Sequence, residues 1–229
     1  MSTNLTAADR ALPRLHGYWR SSAAWRVRIA LNLKGVEWSA TPVHLVRGGG
    51  EQRQPAFLRL NPQGLVPALE IDGLVLTQSL AIIEYLEETR PAPALLPPDP
   101  AGRARVRSLA QLVASDIHPL NNLRVLQQLE GRFGLDAAQR RDWYCHWVEE
   151  GLRALEKRIA AAPETGRFCH GDAPGLADCC LVPQLYNARR YGCSLEGLPE
   201  LLRIEAACAV LPAFTAAAAD AQADAVAGA

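Results

Sequence analysis

The stretch Trp19-Arg20-Ser21-Ser22-Ala23-Ala24-Trp25-Arg26-Val27-Arg28-Ile29-Ala30-Leu31 decides how this chain is read. It follows an apolar run, Leu15–Trp19, that suits a short strand, and it sets two serines directly before a helical pattern. Ala24, Trp25, Val27, Ala30 and Leu31 recur at helical spacing and predict one buried stripe. Serine at that boundary is a helix N-cap, because its oxygen accepts from the free N–H groups of the first turn. The same end of a helix attracts anions. A serine hydroxyl there can therefore cap the helix, donate a hydrogen bond to a bound thiolate, or do both.

Outward from this stretch, strand-like and helix-like pieces alternate. The expected helix Ser22–Lys34 ends at Gly35 in a C′ position. Trp38–Leu45 reads as a second strand, with Pro42 marking an edge. Gly48-Gly49-Gly50 is a turn and not a phosphate loop, since no Lys-Ser/Thr follows. Glu51–Leu60 contains Pro55 and reads as a short or irregular helix. A loop from Asn61 leads into a strand beginning at Pro67, and Asp72-Gly73 is a hairpin turn returning as Leu74–Leu76. Gln78-Ser79 opens a helix over Leu80–Glu88. The proline-rich segment Pro91–Pro100 then separates this α/β half from a second half that is helical in period. Its helices are expected over Asp99–Leu129, broken near His118-Pro119, then Asp136–Ala161, Gly175–Tyr191 and Leu198–Val210. Residues 1–12 read as a loose arm and Thr215–Ala229 as a frayed helix or tail. The expected architecture is α/β plus all-α, with a mixed four-stranded sheet domain over 13–92 and a helical bundle over 101–214.

Composition excludes several function classes. The 229 residues carry a formal net charge of zero, 49% hydrophobic and 21% charged residues, so no global field favours nucleic acid or an anionic membrane. No segment approaches the roughly twenty apolar residues of a membrane span, and no signal-peptide core opens the chain. The six cysteines lie at 145, 169, 179, 180, 193 and 208. None forms a C-x-x-C pair, so free buried thiols in a reducing cytoplasm are expected, with neither a disulfide framework nor a metal site. Arginine is locally in excess over the first sixty residues, whereas Glu70–Asp99 is acidic.

Several separated motifs resemble those of the zeta-class glutathione transferases, over about residues 14–213. They are Arg20-Ser21-Ser22-x-x-Trp25-Arg26-Val27-Arg28-Ile29-Ala30-Leu31, Asn61-Pro62-x-x-x-Val66-Pro67-x-Leu69, Gln78-Ser79-x-Ala81-Ile82-Ile83-Glu84-Tyr85-Leu86-Glu87-Glu88, and Asp178-x-x-Leu181-Val182-Pro183-Gln184. The resemblance implies a thioredoxin-like domain joined to a helical domain, a cytoplasmic homodimer, and glutathione as cofactor. Position by position, it implies that Ser21 holds the glutathione sulfur as thiolate with Ser22 beside it. Val66 would pair its backbone with the cysteinyl unit ahead of a cis Pro67, and Gln78 and Ser79 would bind the γ-glutamyl carboxylate. Arg20 and Arg190 would grip the carboxylates of a diacid substrate, which arginine suits better than lysine.

The implied reaction is cis–trans isomerisation of a maleyl-substituted diacid, maleylacetoacetate to fumarylacetoacetate in homogentisate degradation. Asp116-Ile117-His118-Pro119-Leu120-Asn121-Asn122 resembles the segment of zeta-like maleylpyruvate isomerases in which His118 and Asn122 would face glutathione or substrate. Those enzymes have arginine where this chain has Leu123, which places maleylpyruvate second. A detoxifying glutathione transferase is the further alternative. The chain departs from the family at Ala23, usually cysteine, so redox and dehalogenation side activities are not implied. It departs again at Gly175, usually a serine or threonine that caps the helix carrying Asp178.

Overall fold

The computed structural model describes residues 12–226, so most of the expected N-terminal arm, 1–12, lies outside the described residues. The chain divides into two compact units, one comprising Met1–Pro93 with Thr215–Ala229 and the other Ala94–Phe214.

The first unit is built on a sheet of four strands. These are β1 (Arg14–Gly17), β2 (Ser39–Pro42), β3 (Ala68–Ile71) and β4 (Leu74–Thr77), in the order β2-β1-β3-β4. β1 runs parallel to β2 and antiparallel to β3, and β3–β4 is an antiparallel hairpin. This is the expected mixed sheet. Its strands are shorter than the apolar runs suggest. β1 ends at Gly17 instead of Trp19, because the chain turns where the Ser21 N–H donates to the Tyr18 carbonyl at 2.9 Å. β2 covers only the middle of Trp38–Leu45 and ends at Pro42, an edge strand as proline requires. β3 begins one residue after Pro67. Asp72 and Gly73 both adopt positive φ, 52° and 77°, as the two-residue hairpin turn demands.

The helices of this unit are α1 (Ser22–Leu33), a short α2 (Pro55–Leu58) and α3 (Ser79–Thr89). The expected stripe on α1 is incomplete: every residue from Ser22 to Leu31 is buried, including Arg26 and Arg28. Gly17 permits the close approach of α1 to β1, since a Cβ there would lie 3.1 Å from that of Ala24. At the far end, buried Lys34 reaches Glu87 at 2.5 Å and the Pro93 carbonyl at 2.7 Å, tying α1 to α3.

Residues 215–226 are no frayed tail. A 3-10 turn at Ala219–Ala221 is followed by Asp224, whose carboxylate accepts from the Trp19 N–H at 3.1 Å. Arg28 donates to the Ala217 carbonyl at 2.9 Å.

The second unit contains α4 (Pro100–Gln111), α5 (Leu123–Phe133), α6 (Ala137–Ala160), α7 (Leu176–Tyr191), α8 (Pro199–Ala209) and the short α9 (Pro212–Thr215), whose last residue opens the returning segment. Asp99 and Asp136 cap α4 and α6 through Gly102 and Gln139. The long pattern expected over 99–129 is resolved into α4, a π-helical turn over Leu112–Ile117, and α5. The His118 N–H reaches back five residues to Val113 at 2.9 Å, so the helix widens before it ends at His118-Pro119, where the break is expected. At the start of α7 the fully buried Asp178 carboxylate accepts from Gly175 N–H at 2.8 Å and Cys169 N–H at 2.9 Å. Burial pushes this carboxyl above its usual range, and those N–H bonds oppose the shift. Glycine at 175 is required by packing, because a Cβ would lie 2.7 Å from the Leu95 carbonyl oxygen.

The cysteine expectation needs correction. Cys145 and Cys193, 48 residues apart, form a disulfide that joins α6 to the segment after α7. Cys169, Cys179, Cys180 and Cys208 are free and buried. Burial raises the pKa of Cys169, Cys179 and Cys208, and the thiolate is the reactive form. A thiol reagent should therefore label no cysteine rapidly in the native, unreduced protein. It should label four after denaturation and all six after denaturation with reduction; rapid labelling of Cys145 in unreduced protein would contradict the pairing.

Candidate active site

Strand register brings one set of expected residues to a single end of the sheet. His16 pairs with Ala68, and Ala68 pairs with Thr77. The exit of β1, the entry to β3 and the exit of β4 therefore lie side by side, carrying Tyr18–Ser21, Val66-Pro67 and Gln78-Ser79.

At the first of these, Ser21 is the N-cap of α1, with φ −66° and ψ 111°, and its Oγ accepts from the Ala24 N–H at 3.2 Å. A hydroxyl used in this way keeps its own proton to donate. Ser21 is partly exposed whereas Ser22 and Ala23 are buried, so Ser21 is the hydroxyl that a ligand can reach. Arg20 is partly exposed and its guanidinium lies 4.6 Å from the Trp19 ring centroid.

The segment before Ser21 is held by residues that the sequence pattern did not single out. Arg28 donates to the Trp19 carbonyl at 2.9 Å as well as to Ala217, and Asp224 takes the Trp19 N–H. Burial lowers the Arg28 pKa to about 10, and Asp224 opposes that shift. A buried cation bonded to main-chain carbonyls fixes the path of the loop that presents Ser21.

At the second position the Val66–Pro67 bond is cis. No hydrogen bond to the Val66 N–H or C=O is found among the described residues, leaving both groups free to pair with an extended ligand backbone. At the third, Gln78 has φ 68° and makes no side-chain cap to α3. Its amide donates instead to Gln63 Oε1 at 2.9 Å. The N–H groups of the first turn of α3 thus receive no cap from the Gln78 side chain, an arrangement suited to an anion. Ser79 Oγ lies 3.3 Å from Nη1 of Arg26.

The remaining expected residues belong to the second unit. Asn122 Nδ2 and His118 Nε2 are 3.4 Å apart, and Asn122 caps α5 by accepting from the Arg124 N–H at 3.1 Å. The π-helical turn that delivers His118 packs against Gly151 of α6, where a Cβ would lie 2.3 Å from Ile117 Cγ1. Arg190 is exposed near the end of α7, its guanidinium 4.8 Å from the Tyr191 ring centroid. Tyr191 stacks on Tyr144 at 3.6 Å, and Arg141 donates to the Tyr191 and Gly192 carbonyls. Both contacts, with the disulfide, hold that helix end in place. Among the described residues no group of three or more His, Cys, Asp or Glu side chains could hold a metal ion, and no helix is long and apolar enough to cross a membrane.

Comparisons with known proteins agree on one family. Residues 20–89 match the family model of the glutathione S-transferase N-terminal domain, and residues 135–218 that of the C-terminal domain. A maleylacetoacetate isomerase of Pseudomonas aeruginosa is 54% identical over 202 residues, covering 88% of this chain and 93% of the relative. A bacterial zeta-class maleylpyruvate isomerase in its holo form superposes with a TM-score of 0.90 at 49% identity, covering 93% of this chain and all of that one. A maleylacetoacetate isomerase of Methylobacterium extorquens AM1, with bound malonate and glutathione, superposes with a TM-score of 0.90 at 44% identity and the same coverage.

The capping part of Ser21 can be measured alone. Ser21→Ala should lower the unfolding free energy by about 1 kcal/mol and Ser21→Gly by only a few tenths, read from urea denaturation. An unchanged unfolding free energy in Ser21→Ala would mean that the Ser21–Ala24 bond does not stabilise α1.

Proposed function

The chain belongs to the glutathione S-transferase family, and from that premise we propose that it is a glutathione-dependent cis–trans isomerase of a maleyl-substituted diacid, with maleylacetoacetate to fumarylacetoacetate as the leading reaction. The observation that carries this is the 54% identity to a maleylacetoacetate isomerase across most of both chains, joined to a reachable N-cap serine at Ser21. Maleylpyruvate is the second reading, supported by the holo maleylpyruvate isomerase neighbour and the segment Asp116–Asn122. Leu123, in place of the arginine of those enzymes, keeps it second. A cytoplasmic homodimer is the form the family relationship suggests.

The residues present suit the tripeptide. Its cysteinyl unit has the free main-chain groups of Val66, beside cis Pro67. Its γ-glutamyl carboxylate has the N-terminus of α3 at Gln78 and Ser79. Its sulfur has Ser21. When bound, glutathione supplies a thiolate nucleophile that can add to the conjugated cis double bond and leave again after rotation about it. The Ser21 hydroxyl donates to that sulfur while its oxygen stays engaged with Ala24 N–H, and the positive end of α1 favours the same negative charge. Ser22, the buried first residue of α1, stands beside Ser21. Arg20 and Arg190 offer planar, permanently charged donors to the two carboxylates of the substrate. His118 and Asn122 form a hydrogen-bonding pair for glutathione or the polar end of the substrate.

Maleylacetone incubated with substoichiometric glutathione and followed at the enone absorbance separates the classes. The isomerase reading expects many turnovers with no net loss of thiol, and a kcat/KM for maleylacetoacetate above that for maleylpyruvate. Ser21→Gly, which keeps a tolerable cap, should lower kcat about tenfold or more. Consumption of glutathione one-for-one with substrate would make the protein a transferase. A preference for maleylpyruvate would promote the second reading.

A further inference from the structure

Arg26 lies in the middle of α1 and is only 1% exposed. Its Nη1 lies 3.3 Å from Oγ of Ser79, the first residue of α3, which is itself buried. A guanidinium has only donors, so the serine oxygen must be the acceptor. With that side of the oxygen engaged, the hydroxyl proton is free to point elsewhere. Charge makes the placement informative. Cations stabilise helix C-termini and are unfavourable beside N-termini, so a buried arginine at the start of α3 is poorly placed for the helix alone. A bound anion reverses that sign. The first turn is also without a cap from the Gln78 side chain, which turns away to Gln63.

We propose that Arg26 is a positioning residue for the γ-glutamyl carboxylate of glutathione: it holds the Ser79 hydroxyl so that its proton is donated outward to the carboxylate, and it adds a buried positive charge behind the site. The proposal rests on the reading of Gln78 and Ser79 as the carboxylate site. It assigns to the first arginine of the Trp25-Arg26-Val27-Arg28 run a part in binding, distinct from the loop-holding part of Arg28.

Calorimetric titration with two peptides tests it. One is glutathione; the other is 4-aminobutanoyl-cysteinylglycine, which lacks only the α-carboxylate of the γ-glutamyl unit. The unmodified protein should prefer glutathione by about tenfold or more, the scale of a charge-assisted hydrogen bond. Arg26→Gln should abolish most of that preference while leaving affinity for the analogue within about twofold, and Arg26→Lys, which keeps the charge, should restore part of it. Ser79→Ala, which leaves the charge in place, should lose part of the preference, and the double variant should lose about as much as Arg26→Gln alone. Should Arg26→Gln fail to fold, the lysine and alanine variants decide the matter by the same measure. The proposal is overturned if Arg26→Gln keeps the full preference, if it weakens both peptides equally as a merely structural arginine would, or if Ser79→Ala leaves the preference intact. An unmodified protein that binds both peptides alike removes the carboxylate reading of Gln78 and Ser79 itself, and the role of Arg26 with it.

Discussion

Helix α1 is buried along ten consecutive residues, yet Ser21 at its N-terminus stays partly exposed. That constraint organises the first unit. A helix buried on every side cannot leave charges unanswered, because an unpaired buried charge is far costlier than any single contact it could displace. Arg28 meets the requirement with the carbonyls of Trp19 and Ala217, and Arg26 is bonded to Ser79. Each solution also shapes the site. The first fixes the loop that carries Ser21, and the second reaches the start of α3. Residues 217–224 join this framework by closing on Trp19 and Arg28, so the end of the chain supports a turn some two hundred positions earlier.

The parts of this arrangement that were legible in the sequence are those set by local chemistry. Ser21 reads as a cap because capping involves only the next three residues, and Asp72-Gly73 reads as a hairpin because the turn requires positive φ at adjacent positions. The limits of α6, α7 and α8 follow from caps and helical period in the same way, each within a residue of expectation. Gln78-Ser79 is legible as a helix start, although capping does not describe Gln78, whose side chain leaves the helix for Gln63.

What escaped was tertiary. The pattern Trp25-Arg26-Val27-Arg28-Ile29 carries a signal, two arginines within an apolar helical run, but period alone assigns them to a solvated face. Only the packing of the neighbouring elements around α1 buries them. The Cys145–Cys193 bond joins residues 48 positions apart with no shared motif, and cysteine spacing argued against it. The π-helical turn before His118 answers a packing demand from Ile117 against Gly151, while the proline visible in the sequence marks only where the turn ends. Strand ends were overrun because apolar residues such as Tyr18 and Trp19 are buried without belonging to the sheet.

On the proposed function, the N-terminus of α1 is one device with two uses, a capped helix end and a donor to sulfur. Its most direct test is the ionisation of glutathione in complex with the unmodified protein, followed by thiolate ultraviolet absorbance against pH. The bound thiol should have a pKa at least about one unit below the free value of about 8.5. A bound thiol that ionises at the free value would contradict it.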